Sequence, residues 1–247
     1  MRILRIFTAA VLLFAGLLGV SPAQGSPTHL YVYLVRHGQS TDNAKGLQSG
    51  WSPAPLTALG QMQANAIGSR LATVNFVAAY SSGSIRAAQT LNAILASRTD
   101  DLAPLVDPRF REWGVGSFEQ KPVSVVQAAQ AKKLKTTVSA LSQFTDQQKF
   151  DALAAVDPSK TAESWAKFRS RILAGATDLA KATPNSSVLV VTHGYVIKHL
   201  IFLLTGKYTS LSISNTSVTE LDYSAGKWRL VQGPTLRPKV PAALPTQ

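Results

Sequence analysis

The chain of 247 residues contains no cysteine. That absence excludes disulfide staples, thiolate metal sites and lipid attachment through sulfur. Stability must then come from a packed core, and 45% hydrophobic residues over this length suffice for one full domain. Acidic residues are also scarce: 13 Asp and Glu against 25 Lys and Arg leave a formal charge of +12. This balance favours anionic partners such as phosphorylated metabolites, anionic membrane surfaces or nucleic acid. The lysines are dispersed, with no basic stripe interleaved with aromatics, so no nucleic-acid partner is expected.

Internal repeats are lacking, and one long apolar run stands apart. It extends from Ile6 to Val20, between the basic start Met1-Arg-Ile-Leu-Arg5 and the small residues Ser21-Pro-Ala23. Basic, apolar and small segments in that order predict a secretory signal over residues 1–23, cleaved after Ala23; the run is short for a membrane span. The leader carries Arg2 and Arg5 and no acids, so its removal leaves +10. The expected product is a single domain over 24–247, periplasmic or secreted, with no stable membrane anchor and an oligomeric state the residues do not specify.

What is present is an alternation of strand and helix patterns. Leu30–Val35 and Ser187–Thr192 are short, β-branched-rich apolar runs, which read as buried strands of a parallel sheet. Phe76–Ser81 and Pro104–Val106 read as two further strands, and Ser217–Tyr223 with Lys227–Val231 as an edge hairpin. Helices are expected from Leu56-Thr57 (inner face Leu59, Met62, Ile67, Leu71, Val74), after Ser84 (Ile85, Ala88, Leu91, Leu95), near Thr161 (Trp165, Phe168, Ile172, Leu179) and over Tyr195–Leu204. Gln39–Pro55 reads as a loop and the four-proline tail from Gly233 as irregular. The fold class is therefore α/β, a mostly parallel central sheet flanked by helices on both faces, with a helical cap insertion over about 119–160.

Both central strands end on a histidine followed by glycine: Arg36-His37-Gly38 and His193-Gly194. Ligands of open α/β sheets bind at the carboxyl ends of strands. Arginine presents a planar fork suited to phosphate oxygens, a neutral imidazole is a competent nucleophile near pH 7, and Gly38 lets the backbone approach an anion closely. Arg86, in the first turn of the helix after Ser84, adds a second guanidinium at a helix N-terminus, and His193-Gly194 opens another helix. Two arginines and two histidines at strand ends would cradle a tetrahedral dianion, which phosphoryl transfer requires.

Four segments in this order resemble the histidine phosphatase superfamily (phosphoglycerate mutase-like, branch 1): Arg36-His37-Gly38 with Asn43; Ser82-Gly-Ser-Ile-Arg86-Ala-Ala-Gln-Thr90; Phe110-Arg-Glu112-Trp-Gly-Val-Gly116; and Thr192-His193-Gly194. Leu56-Thr57-Ala-Leu-Gly60 with Gln63-Ala64, and Glu163-Ser164 with Arg171, support it. The resemblance implies that His37 carries a phosphohistidine and that Arg36, Asn43, Arg86 and Gly194 bind phosphoryl oxygens. It further implies that His193 stabilises the transition state and that Glu112 protonates the leaving oxygen and later activates water. It implies no metal and no cofactor, and a small phosphorylated substrate.

Glu119 lies close enough in sequence to compete with Glu112 as proton donor. Asn43 could instead cap a turn. His29 and His199 read as structural, and Lys121, Lys132, Lys133 and Lys135 as a solvated helix face of the cap. The chain departs from the family pattern at Gln39, where Glu is frequent, and in lacking an acid before Leu56-Thr57. It also lacks the arginine-pair, proline-rich segment of the glycolytic mutase, which with the expected export favours a phosphomonoesterase over a phosphomutase, while the filled reactive positions disfavour a binding protein without turnover.

Overall fold

The structure, a computed structural model, describes residues 28–208 and 212–236. The expected signal segment and the proline-rich end of the chain lie outside them. In chain order the elements are β1 (His29–Arg36), α1 (Thr41–Lys45), α2 (Ala58–Leu71), β2 (Phe76–Ser81), α3 (Ile85–Leu95), β3 (Pro104–Val106), α4 (Val123–Lys133), α5 (Asp146–Val156), α6 (Trp165–Ala182), β4 (Ser186–Thr192), α7 (Gly194–Thr205), β5 (Val218–Ser224) and β6 (Lys227–Thr235). Short 3₁₀ turns occupy Pro108–Phe110, Gly116–Phe118 and Ser139–Gln143.

The six strands form one sheet in the order β3-β2-β4-β1-β5-β6. β3, β2, β4 and β1 pair in parallel, and β5 and β6 complete the edge antiparallel, so the sheet is mixed and mostly parallel as the alternation of elements predicts. Central strands have both faces covered, which is why β1 and β4 are apolar throughout rather than alternating. Leu30, Val32 and Leu34 of β1 and Val188 and Val190 of β4 pack on one side with Phe168, Ile172, Val196 and Leu200 of α6 and α7. Tyr33, Val35, Leu189 and Val191 pack on the other side with Ile67, Leu71, Leu91 and Ile94 of α2 and α3.

The register fixes the site. Arg36 pairs with Thr192 across β1 and β4, so His37 and His193 leave the sheet as neighbours. Ser81 pairs with Val191, which brings Ser82 and the start of α3 beside them. Ser84 caps α3 by accepting from the Ala87 amide, and Arg86 follows in the first turn.

Several expectations are corrected. The Gln39–Pro55 loop contains α1, five residues held by a Ser40–Asn43 capping box. The inner face of α2 is Gly60, Ala64, Ile67, Gly68 and Leu71, while Leu59 and Met62 point to solvent. Small residues win this face because α2 packs closely: a Cβ on Gly68 would lie 3.0 Å from the Ala93 carbonyl oxygen of α3. Ile85 is likewise exposed, as the first residue of α3, before the helix turns its face to the sheet. α6 begins at Trp165 after a Ser164 cap rather than at Thr161. β6 continues through Gly233 to Thr235, paired with β5, so that part of the tail is strand.

Candidate active site

A pocket of about 430 Å³ opens at the carboxyl ends of β1 and β4, and Arg36, His37, Asn43, Glu112 and Gly194 all line it. His37 is almost wholly buried. Its Nδ1 lies 2.7 Å from the Gly38 carbonyl oxygen, an atom that can only accept, so Nδ1 carries the proton and donates it. Nε2 is thereby left with its lone pair, 3.3 Å from the Arg86 Nε that donates to it. Burial, then the positive charge of Arg86 and Arg36, holds the His37 pKa well below its usual value. The imidazole is therefore neutral around pH 7, with an unprotonated nitrogen facing the guanidinium.

His193 packs against it, with ring centroids 5.1 Å apart. Arg86 Nη2 can only donate, and it meets His193 Nδ1 at 3.3 Å, so His193 carries its proton on Nε2 and donates to Ser82 Oγ at 2.8 Å. Its pKa is also pushed well down, by burial first and then by Arg86. Two neutral rings can sit this close where two imidazolium ions would repel.

Arg86, 1% exposed, is the pivot of the cluster. Besides the two histidines it donates to the carbonyls of Ser49, Gly50 and Ser52. That loop is in turn gripped by Glu119, whose carboxylate accepts from the Gly50, Trp51, Ser52 and Val115 amides. Glu119 is thus committed to backbone, whereas Glu112 faces the pocket. Burial raises the Glu112 pKa above its usual value, against the lowering effect of the Trp113 and Tyr195 amides that donate to it.

Glu112 is positioned by a buried fork. Arg171 binds both carboxylate oxygens of Glu163 at 2.7 Å and donates to the carbonyls of Arg109, Arg111 and Glu112. Trp51 Nε1 donates to the same Glu112 carbonyl. Arg36 Nη1 donates to the Ile213 carbonyl, and its buried Nε has no hydrogen-bond partner among the described residues. A buried guanidinium donor left unmade is costly unless a ligand accepts from it.

All seven residues expected from the sequence come together here. Asn43 closes the α1 capping box, the turn-capping role considered for it, and it also lines the pocket. Gly38 has a packing role besides the one expected: a Cβ there would lie 2.4 Å from the Gly60 carbonyl oxygen of α2. The cap lysines Lys121, Lys132, Lys133 and Lys135 are exposed. His199 is buried among Phe150, Trp165 and Tyr195 with Nε2 3.3 Å from Asp146.

Sequence reasoning missed three contributors. Lys198 lines the pocket four residues after Gly194, a helical spacing that could have revealed it. Asn215 donates to the His37 carbonyl at 2.9 Å and to Asn43 Oδ1 from a loop with no sequence signature. Ser82, quoted above only within a motif, is the hydrogen-bond partner of His193.

Comparison with known proteins agrees with this architecture. An Enterobacter protein named "Probable phosphoglycerate mutase GpmB" is 29% identical over 81% of this chain and 87% of its own. The crystal structure of a phosphoglycerate mutase from Bacillus anthracis superposes with a TM-score of 0.78 at 32% identity, covering 83% of this chain and 92% of that one. The alpha-ribazole phosphatase of Shigella flexneri shares the fold with a TM-score of 0.69 at 23% identity, covering 86% of this chain and 100% of that one. A mycobacterial glucosyl-3-phosphoglycerate phosphatase does so with a TM-score of 0.65 at 22% identity, over 82% and 97% of the two chains. The profile of the histidine phosphatase superfamily (branch 1) matches residues 32–233, and the chain belongs to that superfamily.

Proposed function

We propose that the protein is an exported phosphomonoesterase that hydrolyses phosphate esters through a phosphohistidine on His37. The observation that carries this reading is the unprotonated His37 Nε2, set in the pocket beside two guanidiniums. In the first step the Nε2 lone pair attacks phosphorus while the bond to the ester oxygen breaks. Glu112, kept protonated to higher pH by burial, gives its proton to the departing oxygen. In the second step water attacks the phosphohistidine, Glu112 takes its proton back and the P–N bond breaks, releasing phosphate. His37 Nδ1 keeps its proton throughout and donates it to the Gly38 carbonyl, which fixes the ring.

Arg36, Arg86, Asn43 and the backbone at Gly194 are assigned to the phosphoryl oxygens. Arg36 lines the pocket, and its Nε, a donor with no hydrogen-bond partner among the described residues, supports this. His193 takes its place beside the same oxygens. Export rests on residues 1–23 and their basic, apolar, small-residue order.

The decisive experiment compares wild type and His37→Ala on p-nitrophenyl phosphate, with and without a metal chelator. Wild type releases phosphate in both conditions and forms an acid-labile phosphoenzyme; the variant does neither above the level of water. Equal release by the two proteins would remove His37 from its role, and loss of wild-type activity on chelation would count against the two-step scheme. The name of the GpmB relative favours a phosphomutase as the second reading. Isomer formation in excess of phosphate release, on one substrate, would establish it.

A further inference from the structure

A second cavity, of about 320 Å³, lies under the cap between α4, α5 and the 3₁₀ turn Ser139–Gln143. It shares Gln48, Val123 and Tyr195 with the phosphate pocket, so the two are adjoining chambers. An ester whose phosphate sits by His37 would direct its alcohol portion into this chamber. Resting on the phosphomonoesterase reading, we propose that the preferred alcohol is an uncharged, partly apolar group of ring size or larger.

The walls argue for this class. Val126, Val138 and Leu141 supply aliphatic surface, and Trp113 and Tyr195 supply aromatic surface. Trp113 is held rigid by stacking on Phe150, with centroids 3.8 Å apart and planes within 2°. Apart from Lys149, the polar side chains are neutral amides and hydroxyls, Gln48, Gln127 and Gln130 with Ser139 and Ser142, which orient a ligand without requiring charge on it.

The cationic groups at the boundary are already occupied. Lys149 lines the cap chamber and Lys198 the phosphate pocket, and Asp146 binds both, at 2.8 and 2.7 Å. The other groups facing Asp146 are His199, 3.3 Å away, and the Tyr195 ring stacked on it. Among the described residues no guanidinium lines the cap chamber. A second anionic group on the substrate would therefore either meet the Asp146 carboxylate or have to draw a lysine away from it, and both outcomes cost affinity.

The test uses three alkyl phosphates: benzyl, 4-carboxybenzyl and methyl phosphate, with phosphate release measured as kcat/KM. The two benzyl esters differ chiefly in the carboxylate, and the methyl ester leaves the cap chamber empty. Benzyl phosphate is expected to exceed each of the others about tenfold, the scale on which one apolar group or one misplaced charge discriminates. Gln127 and Ser142 are exposed, so Gln127→Trp and Ser142→Trp should fold and should fill the chamber. Either variant is expected to lower the benzyl-to-methyl ratio about tenfold. Equal or preferred turnover of the carboxybenzyl ester, or a ratio unchanged in both variants, overturns the assignment while leaving the phosphatase reading intact. Failure of wild type to release phosphate from any of the three overturns the phosphatase reading and this inference with it.

Discussion

At the scale of single residues, two glutamates seven positions apart have opposite fates. Glu112 is buried at the pocket with its pKa raised, while Glu119 is surrounded by four backbone amides. The pH profile separates them. kcat/KM should rise as pH climbs through the lowered pKa of His37, where the nucleophile loses its proton. It should fall again as pH passes the raised pKa of Glu112, where the acid loses its own. In Glu112→Gln the rate is expected to drop by about 10²–10⁴ and the Glu112-dependent alkaline fall to vanish. Glu119→Gln should keep that fall but weaken the fold by about 1–3 kcal/mol, because two of the four amides then face an NH2 donor instead of an acceptor and the loop that holds Arg86 loosens. Denaturant titration of both variants beside the pH profile checks the contrast. An alkaline limb lost in Glu119→Gln and kept in Glu112→Gln would exchange the two assignments.

At the scale of elements, close backbone approach matters as much as apolar area. Gly38 turns out of β1 with the Gly60 carbonyl of α2 against it. Gly38→Ala is expected to cost about 1–3 kcal/mol through forced displacement of α2, read as a lowered denaturation midpoint. An unchanged midpoint would show that α2 can slide. This packing also explains which parts of the fold were legible. β1 and β4 stand out because strands covered on both faces need unbroken apolar runs, and the two His-Gly steps mark their ends. The inner face of α2 was misread because Leu59 and Met62 look like core, whereas the face is chosen by small residues that admit a neighbour. α1 escaped notice because five residues carry no periodicity, only a capping box. In the site, strand-end and helix-start residues were legible, since short motifs encode them. Lys198 was legible only through its four-residue spacing from Gly194 on α7, and Asn215 was not, because its place depends on how the segment before β5 returns to the pocket.

At the scale of the whole molecule, stability rests on two apolar layers with no covalent cross-link, as the lack of cysteine requires. Among the described residues no helix is long and apolar enough to cross a membrane. The export proposal therefore rests on residues 1–23 alone. Expression of the full chain in a bacterial host with intact-mass measurement of the product should give a polypeptide starting at Gln24, in the periplasmic or culture fraction. A product retaining Met1 in the cytosol would remove export from the proposal. The dispersed excess of lysines remains a solvated surface in the cap, where Lys121, Lys132, Lys133 and Lys135 are exposed.

The parallel pairing of β1 with β4 has a kinetic corollary. The first of these strands opens the described chain, and its partner is made only after the cap and α6 have been synthesised. Closing so long an intervening stretch is entropically slow. A ribosome-bound or refolding intermediate that lacks this pairing would hold His37 without its aromatic companion or the Arg86 brace. Recovery of turnover would thus lag behind recovery of helical signal, and the delay would time the zipping of the sheet's centre.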